Sequence, residues 1–269
     1  MTPWLLRLTG LILAGTVPAC RPTSVAPASL TLRAHEYGYE MSASVPAGLV
    51  RVQLQNHGRD VHEALIVHFT DPRGSAATYV DSVRARVDFP AFATDLGGPG
   101  HTLPGDSTTV WLALTPGRYA VVCWKGDHLP LGMAHDLEVT PATGPSARPP
   151  AASTSLSLRD YTFHLAATLQ SGPHILHIRN DGSEPHEADI FRLSDATTVQ
   201  DYLAWLKGGE VGQPPVDPIG GLGDLAPGRE IWLALALPPG RYFILCQVPA
   251  SGDGRPHYEH GMVLEFTVT

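Results

Sequence analysis

Apolar and polar residues alternate along most of the chain in short runs that turn residues interrupt. The runs at residues 30–37 and 49–54 place an apolar side chain at nearly every second position, which is typical of half-buried β-strands. Asn-His-Gly at 56–58 and Thr-Pro-Gly at 115–117 end such runs with turn residues. The pattern predicts an all-β fold built from many short strands.

Two segments depart from the alternation. Residues 76–87 have a weak helical period with Tyr79 and Val80 on one side, and residues 199–207 have a stronger one that ends at Gly208. Each lies in a different half of the chain. We therefore expect one short helical insertion in each half of the β fold.

The plan of the first half recurs in the second half. Asn56 and His62 recur 124 positions later as Asn180 and His186, and Gly-Arg-Tyr at 117–119 recurs at 240–242. Internal repetition over such a period indicates a duplicated domain. The organisation that we predict is a signal peptide at 1–19, a tether at 20–29, a first domain at 30–140, a Pro-rich linker at 141–153 and a second domain at 154–269.

The N-terminus resembles an export signal. Arg7 precedes an apolar run that is too short to span a bilayer. The sequence Val-Pro-Ala-Cys at 17–20 resembles a lipobox, which predicts cleavage before Cys20 and attachment of a lipid to it. The alternative is ordinary secretion that leaves an unmodified Cys20. We therefore expect an exported, membrane-anchored lipoprotein that faces the periplasm or the cell exterior.

The charge and the cysteines narrow the function. Acidic residues outnumber Lys and Arg by 26 to 18, which argues against nucleic acid or an anionic membrane surface as a partner. A lipid on Cys20 is then the expected membrane contact. Each half contains a single further cysteine, Cys123 or Cys246, so a disulfide framework within a half is excluded. Burial or metal ligation are the usual ways to protect such a thiol in an exported protein.

Each half contains the same four candidate ligands in the same order. A histidine comes first, and a cysteine, a histidine and a methionine follow close together after a distant apolar strand. Thiolate and thioether suit Cu(I), imidazole suits Cu(II), and the combination accommodates both oxidation states. The candidate metal residues are His62, Cys123, His128 and Met133 in the first half, and His186, Cys246, His257 and Met262 in the second.

Both halves resemble cupredoxins, the blue-copper β-sandwich family, over nearly the whole chain after the signal. The resemblance rests on Asn-x-Gly-x3-His at 56–62 and 180–186, on Pro-Gly-x-Tyr at 116–119 and 239–242, and on the Cys…His-x4-Met loop. It implies two tandem Greek-key β-sandwich domains, each with one type 1 copper ion held by the four residues named above. It also implies electron transfer, although it does not identify the redox partner.

The chain departs from the family pattern at two places. The family often has Asn after the first histidine, where Glu63 and Glu187 stand here. A carboxylate at that position could still tie the two ligand loops together. Four residues separate Cys123 from His128, but ten separate Cys246 from His257, and His260 is then a competing ligand.

Three other functions stay open from the residues alone: a metal-free interaction module, a copper chaperone and a copper store. We expect no enzyme activity of the nitrite reductase or laccase kind, because no histidine flanks either cysteine and the ligand strands carry no His-x-His pair. The paired glycines at 97–98 and 220–221 are interpreted as turns. Surface or hydrogen-bonded roles are expected for the histidines without a repeat partner: His35, His57, His68, His101, His135, His164, His174 and His177.

Overall fold

The structure is a computed structural model, and it describes residues 25–87 and 89–269. The predicted signal peptide at 1–19 and the predicted lipidation site Cys20 lie outside the described residues. The first strand, β1, begins at Ala28, so it includes the last two residues of the predicted tether. Among the described residues, no helix is long and apolar enough to cross a membrane.

The first half forms a β-sandwich whose strands bury alternate side chains. One sheet has the order β2-β1-β4-β7, and the other has the order β3-β9-β8-β5-β6. In β1, for example, Leu30, Leu32 and Ala34 are buried while their neighbours are exposed. The strands are β1 (Ala28–His35), β2 (Gly38–Glu40), β3 (Ser44–Pro46), β4 (Gly48–Asn56), β5 (Leu65–Phe69), β6 (Ala93–Asp95), β7 (Ser107–Leu114), β8 (Gly117–Val122) and β9 (Ala134–Thr140).

The second half repeats this sandwich. One sheet has the order β11-β10-β12-β15, and the other has the order β14-β13-β16-β17. No regular element lies between Thr140 and Thr154, the stretch predicted as a linker. The strands are β10 (Thr154–Arg159), β11 (Thr162–Leu165), β12 (Gly172–Asn180), β13 (His186–Leu193), β14 (Asp217–Leu225), β15 (Glu230–Leu237), β16 (Gly240–Leu245) and β17 (Val263–Val268).

One helix packs on the outer face of the second sheet in each domain. α1 (Ala76–Arg84) buries Tyr79 and Val80, and α2 (Val199–Lys207) buries Tyr202. A reciprocal capping box begins each helix, Ser75 with Thr78 in α1 and Thr198 with Asp201 in α2. The predicted bounds of α2 are confirmed, whereas α1 ends three residues earlier than predicted.

The two domains share one sheet, which the sequence did not indicate. The edge strands β7 and β15 pair antiparallel, with Val110 opposite Leu233, and this pairing joins the first sheets of both domains into one of eight strands. These two residues are 123 positions apart in the chain, which is the same offset that relates Gly-Arg-Tyr at 117–119 to its copy at 240–242. The two copies therefore meet through equivalent surfaces, as in a two-fold dimer.

Glycine-rich segments form a second contact between the domains. Gly100 N donates to Gly221 O at 3.0 Å, and Gly223 N donates to Gly98 O at 3.3 Å. A Cβ on Gly221 would lie 2.4 Å from the carbonyl oxygen of Ala188, and the φ of Gly221 is +139°, so only glycine fits.

The prediction of a turn at 220–221 is wrong, because both glycines lie inside β14.

Candidate metal centres

In the first domain, three of the four predicted ligands converge at one end of the sandwich. His62 Nδ1 lies 3.2 Å from His128 Nδ1, and Cys123 Sγ lies 3.4 Å from the same atom. All three side chains are buried. β8 ends immediately before Cys123, while His62 pairs with Thr102 just before β5 begins. Two ring nitrogens and one sulfur therefore face a common point.

The second domain repeats these distances closely. His186 Nδ1 lies 3.0 Å from His257 Nδ1, and Cys246 Sγ lies 3.4 Å from His257 Nδ1. As in the first domain, the ligand atoms of the three residues lie within 4.8 Å of one another. The structure thus brings both predicted His-Cys-His sets together.

The predicted methionines are adjacent to these sets through the backbone. Cys123 N donates to Met133 O at 3.1 Å, and Met133 N donates to His128 O at 2.9 Å. Cys246 and Met262 make the corresponding bond at 3.3 Å. Both methionine side chains are fully buried in the same core cluster as the cysteines. Each methionine is therefore held beside its cysteine by the last strand of the domain.

The Asn-x-Gly motif holds the loop that precedes the first histidine. Asn180 Oδ1 accepts from Gly182 N at 2.8 Å, and its amide donates to the carbonyls of Glu184 and Leu225. Asn56 makes the equivalent three bonds in the first domain. Gly182 is needed because a Cβ there would lie 2.6 Å from His186 Nε2. Both residues of the motif thus position the imidazole.

A tyrosine covers the second histidine of each site. The Tyr37 ring contacts the His128 ring edge-on at 5.6 Å between centroids, and Tyr161 contacts His257 at 5.1 Å. Both tyrosines have φ near +65°, which is uncommon for a residue with a side chain. Such strained positions concentrate at functional sites, so their recurrence supports a common role.

The long loop after Cys246 folds into a small hairpin. Pro249 pairs with Pro256, and His257 N donates to Val248 O at 2.9 Å, which returns His257 to the position of His128 in the first domain. His260 was considered a competing ligand, and the structure does not bear this out. Its Nε2 atom lies 3.2 Å from Asp253 Oδ1 instead, and it is not part of the His-Cys-His group.

Burial sets the protonation of the donors. It raises the pKa of the Cys123 thiol to about 12, and Glu63 adds to the effect. Burial likewise raises the pKa of Cys246 well above the usual value and lowers the pKa of His62 and of His186. Burial thus favours the neutral, coordinating form of His62 and His186, whereas a metal ion must displace the thiol proton.

The two glutamates that follow the first histidines meet at a cavity between the domains. The cavity has a volume of about 300 Å³, and both Glu63 and Glu187 line it. Glu187 Oε1 accepts from Gln247 N at 2.5 Å, so this carboxylate does tie the two ligand loops together. Glu63 contacts His101 Nε2 at 2.9 Å instead.

His101 is the residue that sequence reasoning missed at this interface. His101 is buried, and it lies between Glu63 of its own domain and Asp189 of the other domain. Asp189 Oδ1 is 3.6 Å from His101 Nδ1. Burial alone would lower the pKa of His101, but the two carboxylates raise it. The His101 imidazole thus bridges the domains, and the two carboxylates beside it favour its protonated form.

Both donor sets fit copper, one ion in each domain. A thiolate and two imidazoles in a buried cluster, with a buried methionine that is hydrogen-bonded through its backbone to the cysteine and the second histidine, provide the ligand types that a type 1 copper site uses. Hard ions such as Ca²⁺ or Mg²⁺ require oxygen ligands, which these clusters lack. The fit rests on donor chemistry and on the convergence of the Nδ1 and Sγ atoms.

No protein-family model matches the chain, and no curated protein matches it. Among solved structures, it is similar to a dithionite-reduced auracyanin from Roseiflexus castenholzii (22% identity, 42% of this chain and 97% of that one, TM-score 0.30). It is also similar to auracyanin A, a blue copper protein from Chloroflexus aurantiacus (18%, 43% and 100%, TM-score 0.33). A copper nitrite reductase from Nitrosomonas europaea is similar over both domains (14%, 90% and 93%, TM-score 0.25).

Proposed function

We propose that this protein is an exported electron carrier with one type 1 copper ion in each of its two cupredoxin-like domains. His62, Cys123, His128 and Met133 would hold one ion, and the second set is His186, Cys246, His257 and Met262. The observation that carries the proposal is the convergence of two Nδ1 atoms and one Sγ atom within 4.8 Å in both domains.

Electron transfer suits this arrangement because the ligands are held in place before the metal binds. The three donors of each domain are buried, and backbone bonds tie the methionine to the cysteine and the second histidine. A rigid site changes little between Cu(I) and Cu(II), so little reorganisation accompanies each electron. The residues that flank the cysteines are Val122 and Trp124, and Leu245 and Gln247, so no histidine continues from either cysteine to a catalytic copper.

Export and lipid attachment at Cys20 belong to the same proposal. Their support is the signal-like sequence at 1–19 and the lipobox-like sequence that ends at Cys20. Mass spectrometry of the protein purified from a membrane fraction tests them. A lipid-modified N-terminal Cys20 is expected, whereas an intact residue 1 would contradict both.

Copper titration with visible spectroscopy tests the two sites. Two Cu(II) ions per chain are expected, with an intense thiolate-to-copper band. The Cys123→Ser and Cys246→Ser variants should each lose one copper ion and about half of the band. His135→Gln is the matched control, because the His135 ring hydrogen-bonds the neighbouring Asp136 carbonyl and belongs to neither donor cluster, so the variant should leave both the copper content and the band unchanged.

Failure of the wild-type protein to bind Cu(II), or equal binding by the double Cys→Ser variant, would refute the assignment. A colourless protein that takes up no copper would instead favour the metal-free module. Reduction of the copper-loaded protein in the presence of a Cu(I) chelator distinguishes an electron carrier from a copper store or chaperone. An electron carrier should retain its copper and regain its band on reoxidation, whereas a store or chaperone should release it.

A further inference from the structure

The four candidate histidines point one ring nitrogen inward and the other outward. The Nδ1 atoms meet at the two centres, so the Nε2 atoms face the surrounding protein. Whatever accepts a hydrogen bond from Nε2 makes the imidazole a stronger electron donor to a metal. The groups around Nε2 are therefore the place to look for a difference between the two sites.

In the second domain, a carboxylate contacts each outward nitrogen. His186 Nε2 lies 3.0 Å from Asp160 Oδ1, and His257 Nε2 lies 2.9 Å from Glu184 Oε2. Both histidine side chains are fully buried. These are charge-assisted hydrogen bonds shielded from water on the histidine side.

The first domain has acids at the equivalent positions, but they do not reach the histidines. Glu36 and Asp60 lie 124 positions before Asp160 and Glu184. Glu36 accepts from the backbone of Arg59, and the buried His62 Nε2 has no hydrogen-bond partner among the described residues. Asp60 Oδ2 is 4.0 Å from His128 Nε2, which is too long for a hydrogen bond.

Neighbouring side chains explain why the acids of the second domain are in place. Ser183 holds Asp160 with its backbone N–H at 2.8 Å and its hydroxyl at 2.7 Å. Ser251 donates its hydroxyl and its backbone N–H to Glu184. Ser251 lies in the hairpin that lengthens the loop after Cys246, and the short loop after Cys123 has no such residue. The extra loop residues thus supply a clamp for the carboxylate behind His257.

We infer that Asp160 and Glu184 are positioning residues that make the second domain the site with the lower reduction potential. This inference rests on the proposed function. Each carboxylate holds its imidazole in one orientation and adds negative charge behind it, and both effects favour the more highly charged Cu(II) over Cu(I). The histidines of the first domain lack these hydrogen bonds, and their acids lie farther from the rings. The first electron that enters the oxidised protein from a one-electron reductant therefore resides in the first domain.

Single-site proteins test the inference in the full chain. Cys246→Ser retains the first site, Cys123→Ser retains the second, and spectroelectrochemistry measures each potential. The second site is expected to have the lower potential. In the Cys123→Ser background, Asp160→Asn and Glu184→Gln should each lower Cu(II) affinity about tenfold or more. With Cu(I) affinity unchanged, that corresponds to an increase of about 59 mV per tenfold.

The first domain supplies matched controls. In the Cys246→Ser background, Glu36→Gln and Asp60→Asn should change Cu(II) affinity by less than about threefold, because neither acid hydrogen-bonds a histidine. Ser251→Ala is a milder variant for the second site, since it releases Glu184 without altering a ligand or its carboxylate. It should raise the potential of that site by less than Glu184→Gln does.

The outcomes separate the inference from the function on which it rests. Equal potentials in two copper-loaded sites, or unchanged potentials in Asp160→Asn and Ser251→Ala, would overturn the inference and leave the copper assignment intact. Absence of a copper band from both single-site proteins would overturn the two together.

Discussion

The loops after Cys123 and after Cys246 differ in length by six residues, yet both place the second histidine at the same distance from the cysteine sulfur. That distance is 3.4 Å in each domain. The strand before the cysteine and the methionine after the histidine are held by the same backbone bonds in both copies. The strands therefore set the geometry of the donor atoms, whereas the length of the loop between cysteine and histidine can vary without changing it.

The surroundings of the two sites have diverged more than the sites themselves. In the first domain, Glu63 is paired with His101 at the interface, while Glu187 of the second domain binds the backbone of Gln247. Burial and nearby carboxylates raise the pKa of Glu187 well above its usual value, but His101 holds the pKa of Glu63 below its usual value despite burial. The surroundings of the two copies of one glutamate thus shift its pKa in opposite directions.

Removal of His101 should have the largest effect on the free energy of unfolding, because Glu63 then loses the partner that distinguishes it from Glu187. His101→Gln leaves the buried carboxylates of Glu63 and Asp189 without the imidazole between them, and breaking a buried ion pair costs about 3–5 kcal/mol. Chemical denaturation of the full chain measures the loss. His177→Gln is the control, since the pair of His177 with Glu230 is partly exposed and is worth less than about 1 kcal/mol. Equal losses in the two variants would contradict a special role for His101.

Alanine at the glycine of the Asn-x-Gly motif should have the next largest effect, and it tests whether the two histidines are held alike. A Cβ at Gly182 would lie 2.4 Å from Asp160 Oδ1 and 2.6 Å from His186 Nε2. At Gly58 it would lie 2.6 Å from His62 Nε2. Gly182→Ala and Gly58→Ala should each cost about 1–3 kcal/mol from overpacking. Each should also weaken Cu(II) binding in its own domain.

Copper titration of the two alanine variants provides the internal control, because the site in the other domain should keep its affinity. Gly105→Ala is not suited to this purpose, since its positive φ would add strain of its own. Gly252→Ala is suitable, because nothing lies within 4 Å of a Cβ at that position. Unaltered copper binding in Gly182→Ala would show that the imidazole tolerates displacement.

The smallest effect concerns the tyrosine that follows Gly-Arg in each closing strand. Tyr119 OH donates to Thr115 O at 2.8 Å and accepts from Thr115 N at 3.2 Å. Tyr242 OH donates to Pro238 O at 2.7 Å, but proline has no N–H to return the bond. Tyr119→Phe should therefore lower the free energy of unfolding by about 1–2 kcal/mol and Tyr242→Phe by about 1 kcal/mol. Denaturant titration checks the order, and a reversed order would refute this account.

The candidate ligands could be predicted from sequence because their chemistry restricts residue type and local order. A cysteine, a histidine and a methionine lie close together in the chain on one loop, and the duplication repeats this set. The helix α2 was predictable for a similar reason, since its cap, its apolar face and its final glycine all lie within a dozen residues.

Other features escaped because they depend on residues far apart in the chain. Asp160 and Glu184 contact histidines 26 and 73 positions away. The recurrence of acids at 36 and 160, and at 60 and 184, was the one signal that could have drawn notice to them. The glycines of β14 carry no side chains and so show no alternation, which is why a strand was mistaken for a turn.

The β architecture, the duplication and the identity of the candidate copper ligands could be inferred from the sequence, because the alternation of apolar residues and the order of the ligands are local properties of the chain. The pairing of β7 with β15 and the position of His101 between the domains became visible in the folded structure alone. The same holds for the acids, which hydrogen-bond the histidines in the second site and not in the first. These contacts join residues far apart in the chain, and a change of about one ångström, from 2.9 Å between Glu184 and His257 to 4.0 Å between Asp60 and His128, separates a hydrogen bond from none.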